Sequence, residues 1–503
     1  MSDVQPGRPR IAVVGGGIAG LSAGYTLARA RRQGAPIEVT LLEGRDRLGG
    51  VITTERVEGF VIEGGPDSFL AEKPEAAALC RELGLGDQLL GSNDRGRRTY
   101  ILHHGRLARL PDGLLLLVPT RLWPMVSTPL LPFRSKLAAA AECFASPPRA
   151  EAATPEDESV ASFVQRHFGE AMVENIVEPL LAGVYGGDCR QLSIRSVLPR
   201  FWEMERRYGS LTRATLRAQR ERMKAAEEAR QFGEATRHQR LPLFMTLKNG
   251  LDQIVLMLAE RLDGAAVRLG VRVSSLDFPA TAGGAYQIHW EDGSTQQAEA
   301  VVLAMPAHEC ARLLLPVHPR LAKRLGEIPY SSAMTVALAY GEGAREMLPR
   351  GFGFLVPRKE KRRLLACTFV HGKFDHRVPE GKALLRCFLG GAADPEVLKL
   401  SDQEATTLVR EELQAILSFE LEPLFHRIHR WPSSMAQYTV GHAERLQAIE
   451  TELQELPGLC LAGNAYSGIG ISDCVRTGRA AAERALEAVR KQRPDSSAHT
   501  GLL

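Results

Sequence analysis

RIAVVGGGIAG, residues 10–20, and IEVTLLEGRDRLGG, residues 37–50, decide the fold. The first stretch is a short β-branched run, Arg10 to Val14, that ends in glycines, after which Leu21, Ala28 and their neighbours recur at helical spacing. The second is an apolar strand, Ile37 to Leu42, that ends at Glu43. Strand, glycine turn, helix and strand make a βαβ unit of ordinary length. Gly15, Gly17 and Gly20 fit GxGxxG. In that spacing the first glycine makes a tight turn, the second lets a pyrophosphate approach the backbone, and the third lets helix and strand pack closely. The helix N-terminus then offers free N–H groups to the anion, and Glu43 stands where a ribose hydroxyl would be held. The reading is an α/β chain with a Rossmann-like dinucleotide-binding domain.

The residues after Glu43 narrow the choice of dinucleotide. Arg47, Gly49 and Gly50 lie just past the ribose carboxylate, where a cation and a second glycine turn can approach the same pyrophosphate. This looks like the flavoprotein form of the motif, and a nicotinamide dehydrogenase would not need it. Near the C-terminus, GNAYSGIGISDCVRTGRAA puts another glycine-rich turn at the head of the last helix, so that a second helix N-terminus can face the cofactor.

Composition excludes several other classes. With 503 residues the chain is long enough for two or three domains, and 44% hydrophobic with 24% charged residues is ordinary globular usage. The net charge of +4 is a small difference between 63 basic and 59 acidic side chains, so nothing points to nucleic acid. The eight cysteines include no CxxC pair, which fits reduced cytosolic thiols and no metal site. MSDVQPGRPR lacks the apolar core of a secretory signal, and no run reaches the roughly 18 apolar residues of a spanning helix. GLLLLVPTRLWPMVSTPLL, from Gly113, comes nearest. It reads either as an apolar lip touching a bilayer or a greasy entrance, or as a buried irregular segment.

Further along, helical patterns are expected at Pro74 to Leu90, Arg206 to Arg240, Leu247 to Leu262 and from Arg476 to Val489. Strands are expected at Thr99 to Leu102, Arg106 to Leu110, Val271 to Leu276, Tyr286 to Trp290, Ala300 to Ala304, Met334 to Tyr340, Gly353 to Val356, Leu364 to Phe369, Leu384 to Leu389 and Leu459 to Ala462. EDGS is expected to turn the strand at Trp290 into the one at Ala300. The basic helix after Arg206 reads as a solvated face.

Several longer strings stand out: EGGPDSFLAEKPEAAALCRELGLGDQL from Glu63, LLAGVYGGDCRQLSIRSVLP from Leu180, LKNGL from Leu247, ACTFVHGKF from Ala366, RWPSSMAQYTVGH from Arg430 and GNAYSGIGISDC from Gly463. Together they resemble the FAD-dependent porphyrinogen oxidases of haem biosynthesis, a family within the larger amine-oxidase-like flavoprotein group. The resemblance implies non-covalent FAD held by Gly15, Gly17, Ile18, Ala19, Gly20, Glu43, Gly44, Arg47, Gly49, Gly50, Gly65, Pro66, Asp67, Ser68, Val273, Trp431, Ile469, Gly470 and Ile471. It implies a porphyrinogen lying among Gly183, Phe352, Gly353, Leu355 and Phe388, with Arg98 near a propionate. A broad apolar ring does need aromatic and aliphatic walls, and glycine where it meets the backbone. Phe352, Leu355 and Phe388 also read as ordinary sheet core.

The resemblance further implies a discontinuous FAD domain (1–75, 243–310, 450–503), a helical insertion (95–225) and a sheet-containing substrate domain (76–94, 311–449). It implies removal of six hydrogens in three steps, with dioxygen as acceptor and hydrogen peroxide as product. The flavin carries that chemistry, so no side-chain base is required, and His167, His371, His376 and His442 read as packing or surface histidines. The family divides by substrate between coproporphyrinogen III and protoporphyrinogen IX. Thr99 stands where two-propionate enzymes of the membrane-bound type carry an arginine, and the adjacent Arg98 would face the other side of a strand. Coproporphyrinogen III is therefore favoured, with Arg45, Arg98, Arg106, Arg109 and Arg121 as unranked propionate anchors. An amine oxidase and a carotene desaturase are the rival activities. The expected location is the cytoplasm, with peripheral membrane contact or transient contact with neighbouring haem-pathway enzymes left open.

Overall fold

In the computed structural model, which describes residues 8–111, 114–115, 118–119, 127–145, 157–231, 241–279 and 284–492, the glycine-turn unit consists of β1 (Arg10–Val14), α1 (Ile18–Arg32) and β2 (Glu38–Leu42). These strands are parallel and central to a five-stranded sheet, in the order Ala265–Arg268, β2, β1, Ala300–Leu303, Leu459–Leu461. Ile11, Ala12 and Val13 are fully buried, which is why β1 reads as an unbroken apolar run: helices or loops cover both faces of a parallel sheet. The basic last turn of α1, with Arg29, Arg31 and Arg32, suits the negative end of its dipole. The closing helix, Ile471–Gln492, packs against α1 so tightly that a Cβ on Gly478 would lie 2.1 Å from the Ala19 carbonyl oxygen.

A seven-stranded sheet forms the second layer, in the order Phe425–Ala436, Tyr330–Tyr340, Ala383–Gly390, Leu364–Phe369, Gly353–Leu355, Thr99–His103, Arg106–Arg109. Its last two strands open the stretch 95–225, and the helices of that stretch, among them Phe133–Glu142, Val160–Phe168, Glu178–Tyr185 and Leu211–Gln231, come after them in the chain. Of the apolar stretch 113–131, residues 113, 116, 117 and 120–126 lie outside the described residues, Arg121 with them. Among the described residues, no helix is long and apolar enough to cross a membrane.

Four expectations need correction. The helical pattern expected from Arg206 to Arg240 is broken at Gly209, φ +74°, between helices Pro199–Tyr208 and Leu211–Gln231, and residues 232–240 lie outside the described residues. Residues 247–262 are not one helix: strand Phe244–Leu247 and helix Asp252–Glu260 are parted at Gly250, whose φ of +104° no helix accepts. The helix expected from Pro74 to Leu90 stops at Glu82, and Leu89–Gly91 is a strand paired with Phe244–Leu247. EDGS turns Tyr286–Trp290 into Thr295–Ala298, not into Ala300–Leu303. TQQA, polar in three of its four residues, gives no apolar alternation to announce that strand.

Candidate functional site

Sterics shape the turn after β1. Gly15 has φ +108°, and a Cβ there would sit 2.5 Å from the Ala304 carbonyl oxygen; on Gly20 it would sit 1.8 Å from that of Gly15. Gly17, the N-cap of α1, differs. Its φ is −70° and a Cβ would meet nothing within 4 Å. The chain does not need glycine at this position for its own packing, and the open space above Gly17, at the positive end of α1, is one that could cradle an anion from outside. Ile18 and Ala19 form the first turn below it.

The second glycine turn closes the same cradle. Gly49 N–H donates to Gly16 O at 2.8 Å, and a Cβ on Gly50 would lie 3.2 Å from Gly17 Cα. Arg47 holds this turn by donating to Gly50 O at 2.8 Å and Ile52 O at 3.3 Å. Arg45 also reaches Gly50 O, at 3.3 Å, which sets it beside this turn.

Glu43 ends β2 with its carboxylate pulled into the turn: Oε2 accepts Gly16 N–H at 2.6 Å and Oε1 accepts Arg45 N–H at 2.8 Å. Each oxygen keeps a lone pair for a ribose hydroxyl. The next wall approaches beside it, where Val271 N–H donates to Glu43 O at 2.9 Å and a Cβ on Gly44 would lie 3.9 Å from Arg272 Cα. Val273 begins its strand two residues on. Glu43→Ala is expected to weaken FAD binding by about 1.5–3 kcal/mol, the worth of a hydrogen bond to a charged group. Titration of apo-protein with FAD checks this, and parental affinity would remove Glu43 from the role.

Ile469, Gly470 and Ile471 lead into the closing helix. Asp473 accepts Gly470 N–H at 3.2 Å, and Lys73 Nζ reaches its two oxygens at 2.8 and 2.6 Å. An acid at a helix N-terminus would oppose an incoming anion, and Lys73 cancels that charge.

Residues 65–68 form a further wall, pinned from both sides. A Cβ on Gly65 would be 1.8 Å from Val51 O. Gly64 O accepts from Trp431 Nε1 and from Thr335 Oγ1, each at 2.9 Å, and Arg386 donates to Gly65 O. After Pro66, Asp67 pairs with Lys373 Nζ at 2.9 Å, and Lys373 also donates to Ser68 Oγ at 3.1 Å. Burial alone would raise the Asp67 pKa, yet the Lys373 ammonium, helped by Arg386 and Arg377, holds it below the usual carboxylate range. Lys373, Arg386, Thr335 and the buried pair Glu63–Arg377 were not legible as site residues. For Arg386 the available signal was a cation inside the otherwise apolar strand sequence ALLRCFLG.

The seven-stranded sheet turns one face to this loop. Ile101, Leu355, Ala366, Phe388, Thr335 and His429 are register partners along one row. Residues two apart share a face, so Arg386 and Gly353 belong to the same side. A Cβ on Gly183, in helix Glu178–Tyr185, would be 3.2 Å from Leu355 Cδ2. That helix ends in a left-handed cap at Gly186, φ +57°, and Gln437 Nε2 ties the carbonyl of Tyr185 to the sheet at 2.7 Å. The structure thus gathers Gly183, Gly353, Leu355 and Phe388 beside the 65–68 wall. Phe352 is buried, and its N–H donates to the carbonyl of Arg98 at 2.8 Å, while the Arg98 side chain is exposed.

His429 lies on this face, stacked on Trp431 and paired with Glu55 at 2.9 Å, and burial lowers its pKa. Burial pushes His371 and His442 down to about 4, and His442 stacks on Tyr438 with centroids 4.2 Å apart. Among the described residues, His318, Glu452 and Glu455 have metal-ligand spacing. His318 Nδ1 accepts Leu321 N–H at 3.2 Å, so its proton sits on Nε2, the atom a metal would need, and Arg320 pairs with both glutamates.

The description "Flavin containing amine oxidoreductase" fits residues 18–486. A coproporphyrinogen III oxidase of Bacillus subtilis (strain 168) is 34% identical over 97% of this chain and 99% of its own length. A chloroplastic protoporphyrinogen oxidase of Arabidopsis thaliana is 30% identical over 92% of this chain and 85% of its own. A crystal structure of a protein from Exiguobacterium sp. 255-15, provisionally named protoporphyrinogen oxidase, superposes with a TM-score of 0.81 at 30% identity, covering 97% of this chain and 99% of that one. The glycine turns, the Glu43 carboxylate and these likenesses agree: the chain belongs to the flavin containing amine oxidoreductases and, within them, to the porphyrinogen oxidase family.

Proposed function

We propose that the chain holds FAD non-covalently and oxidises a porphyrinogen to a porphyrin in haem biosynthesis, with coproporphyrinogen III preferred to protoporphyrinogen IX and dioxygen as the acceptor. The observation that carries this reading is the junction of the two layers. The space over Gly17 that no side chain fills and the sheet wall of Leu355, Ala366 and Phe388 are joined through residues 64–68.

When bound, FAD supplies the electron-accepting chemistry, three successive two-electron oxidations with peroxide as the reduced product of oxygen. The chain's own groups do the rest. The discontinuous unit 1–75, 243–310 and 450–503 binds the dinucleotide, with α1 and the closing helix meeting its negative charge. Trp431, Thr335 and Arg386 fix the 64–65 backbone. Leu355, Phe388 and the bare backbone of Gly183 and Gly353 orient a flat apolar ring, and the packed sheet excludes water from its face. Arg98 and Arg106, both exposed, are candidates for propionates at the rim, and peripheral contact with a membrane would involve the apolar stretch 113–131.

The test is steady-state kinetics with both porphyrinogens on the FAD-loaded protein. Higher kcat/KM for coproporphyrinogen III is expected, with salt lowering it more than for the two-carboxylate substrate because exposed charge pairs are screened. If protoporphyrinogen IX is the better substrate at every salt concentration, the preference fails. If neither is oxidised, the activity fails. Gly183→Val should lower kcat/KM by about tenfold or more, since its side chain stands where the ring meets the backbone, while leaving the flavin spectrum unchanged. Parental kinetics would put the substrate elsewhere.

A further inference from the structure

The segments around the candidate site bury more positive than negative charge. Glu63, Lys373, Arg377 and Arg386 are all less than 9% exposed, and Asp67 lies beside them. Glu63 Oε1 is paired with Arg377 at 2.9 Å and Asp67 with Lys373 at 2.9 Å. Arg386 is the third cation. Among the described residues it has no carboxylate within ion-pair distance: it donates to the carbonyls of Gly64 and Gly65, lies over the Phe388 ring at 4.8 Å, and its Nε is buried without a partner. Buried charges are ordinarily paired, so a guanidinium left over in a packed sheet calls for an anion that the chain does not provide. Its place is between the 65–68 backbone and Phe388, the two walls between which the reaction is read to occur.

We propose that Arg386 is the counter-charge for the negative charge that oxidation of the substrate delivers to the site, and that it thereby sets how readily the flavin accepts electrons. This rests on the flavin reading of the site. Removing two hydrogens from a porphyrinogen releases two electrons and two protons. Both electrons and one proton stay on the bound flavin, the second proton passes to solvent, and the site gains one negative charge. A fixed cation in a low-dielectric wall favours that charged state by Coulomb attraction that requires no direct contact. Before reduction the surplus is borne by the Gly64 and Gly65 carbonyl dipoles and the Phe388 ring face.

Inorganic sulfite, which adds to oxidised flavins to give an anion, probes this without turnover. On FAD-loaded protein, Arg386→Met should weaken sulfite binding about tenfold or more and lower the flavin midpoint potential, whereas Arg386→Lys, which keeps the charge but not the two-carbonyl geometry, should stay within about threefold of the parent. A merely structural role predicts instead that both Arg386→Met and Arg386→Lys lose FAD affinity or heat stability, with little change in sulfite affinity in either once FAD is bound. If Arg386→Met does not retain FAD, Lys373→Met carries the test. It frees Asp67 to pair with Arg386, cancels the same surplus and should weaken sulfite binding similarly. Sulfite affinity within about twofold of the parent, with an unchanged midpoint potential, in the FAD-bound neutral variant would overturn the proposal alone. A parent chain that binds no FAD would overturn the site reading and this proposal with it.

Discussion

Gly17→Val is expected to leave the fold intact and to weaken FAD binding by about 100-fold or more, equivalent to ~2.7 kcal/mol. The residue's φ of −70° and ψ of 177° suit any L-amino acid, and the space beyond its Cα holds no protein atom within 4 Å. Valine therefore costs the apo-protein little while placing two methyl groups where the pyrophosphate would meet the N-terminus of α1. Gly20→Val provides the contrast. Its Cβ would be 1.8 Å from a backbone oxygen, so that variant should lose the fold and the cofactor together. Thermal melts of both apo-proteins, with FAD titration of the folded one, separate the outcomes. Parental FAD affinity in Gly17→Val would mean that the cradle holds something else.

A second large effect is expected away from the cofactor. The side chains of Glu63 and Arg377 are each 1% exposed and meet at 2.9 Å, and Glu63 also accepts from Thr54 Oγ1 at 2.6 Å and Leu251 N–H at 2.8 Å. Arg377→Met leaves a buried carboxylate without its cation and should cost about 3–5 kcal/mol of stability. Burial already raises the Glu63 pKa and Arg377 opposes it, so removing Arg377 raises it further. A carboxylate whose folded pKa is raised contributes most below its unfolded value and loses that contribution as pH rises. The deficit should accordingly be largest at neutral pH and shrink toward the ordinary glutamate value of 4.5. Glu63→Gln in the same chain should recover most of it. Denaturant midpoints across pH check this, and a loss that stays constant with pH would contradict the ion-pair account.

The elements that the sequence announces are those whose local signals agree. Fully buried parallel strands such as Ile11 to Val14 can only be apolar, and the glycines at 15 and 20 are dictated by backbone oxygens within 2.5 Å of the absent Cβ. The features that stayed hidden depend on partners far along the chain. Phe425–Ala436 reads FHRIHRWPSSMA, polar and interrupted by Pro432, and becomes a strand because it lies at the sheet edge, where proline is tolerated. Trp431 was legible through a motif, but its partner, Gly64 O, lies 367 residues away. Asp67 and Lys373 are 306 residues apart, and no spacing rule connects them. Arg386 was hidden for a related reason. An arginine in ALLRCFLG contradicts the pattern of a buried strand, and only the three-dimensional count of charges around it gives that contradiction a meaning.

The most direct measurement mixes FAD-loaded protein with coproporphyrinogen III in the absence of oxygen and tracks flavin absorbance and porphyrin fluorescence together. The flavin is expected to bleach on mixing, catalytic porphyrin formation to wait for oxygen, and readmitted oxygen to restore the yellow flavin with release of peroxide. A flavin that stays oxidised in the presence of excess porphyrinogen, in protein shown to hold FAD, would contradict it.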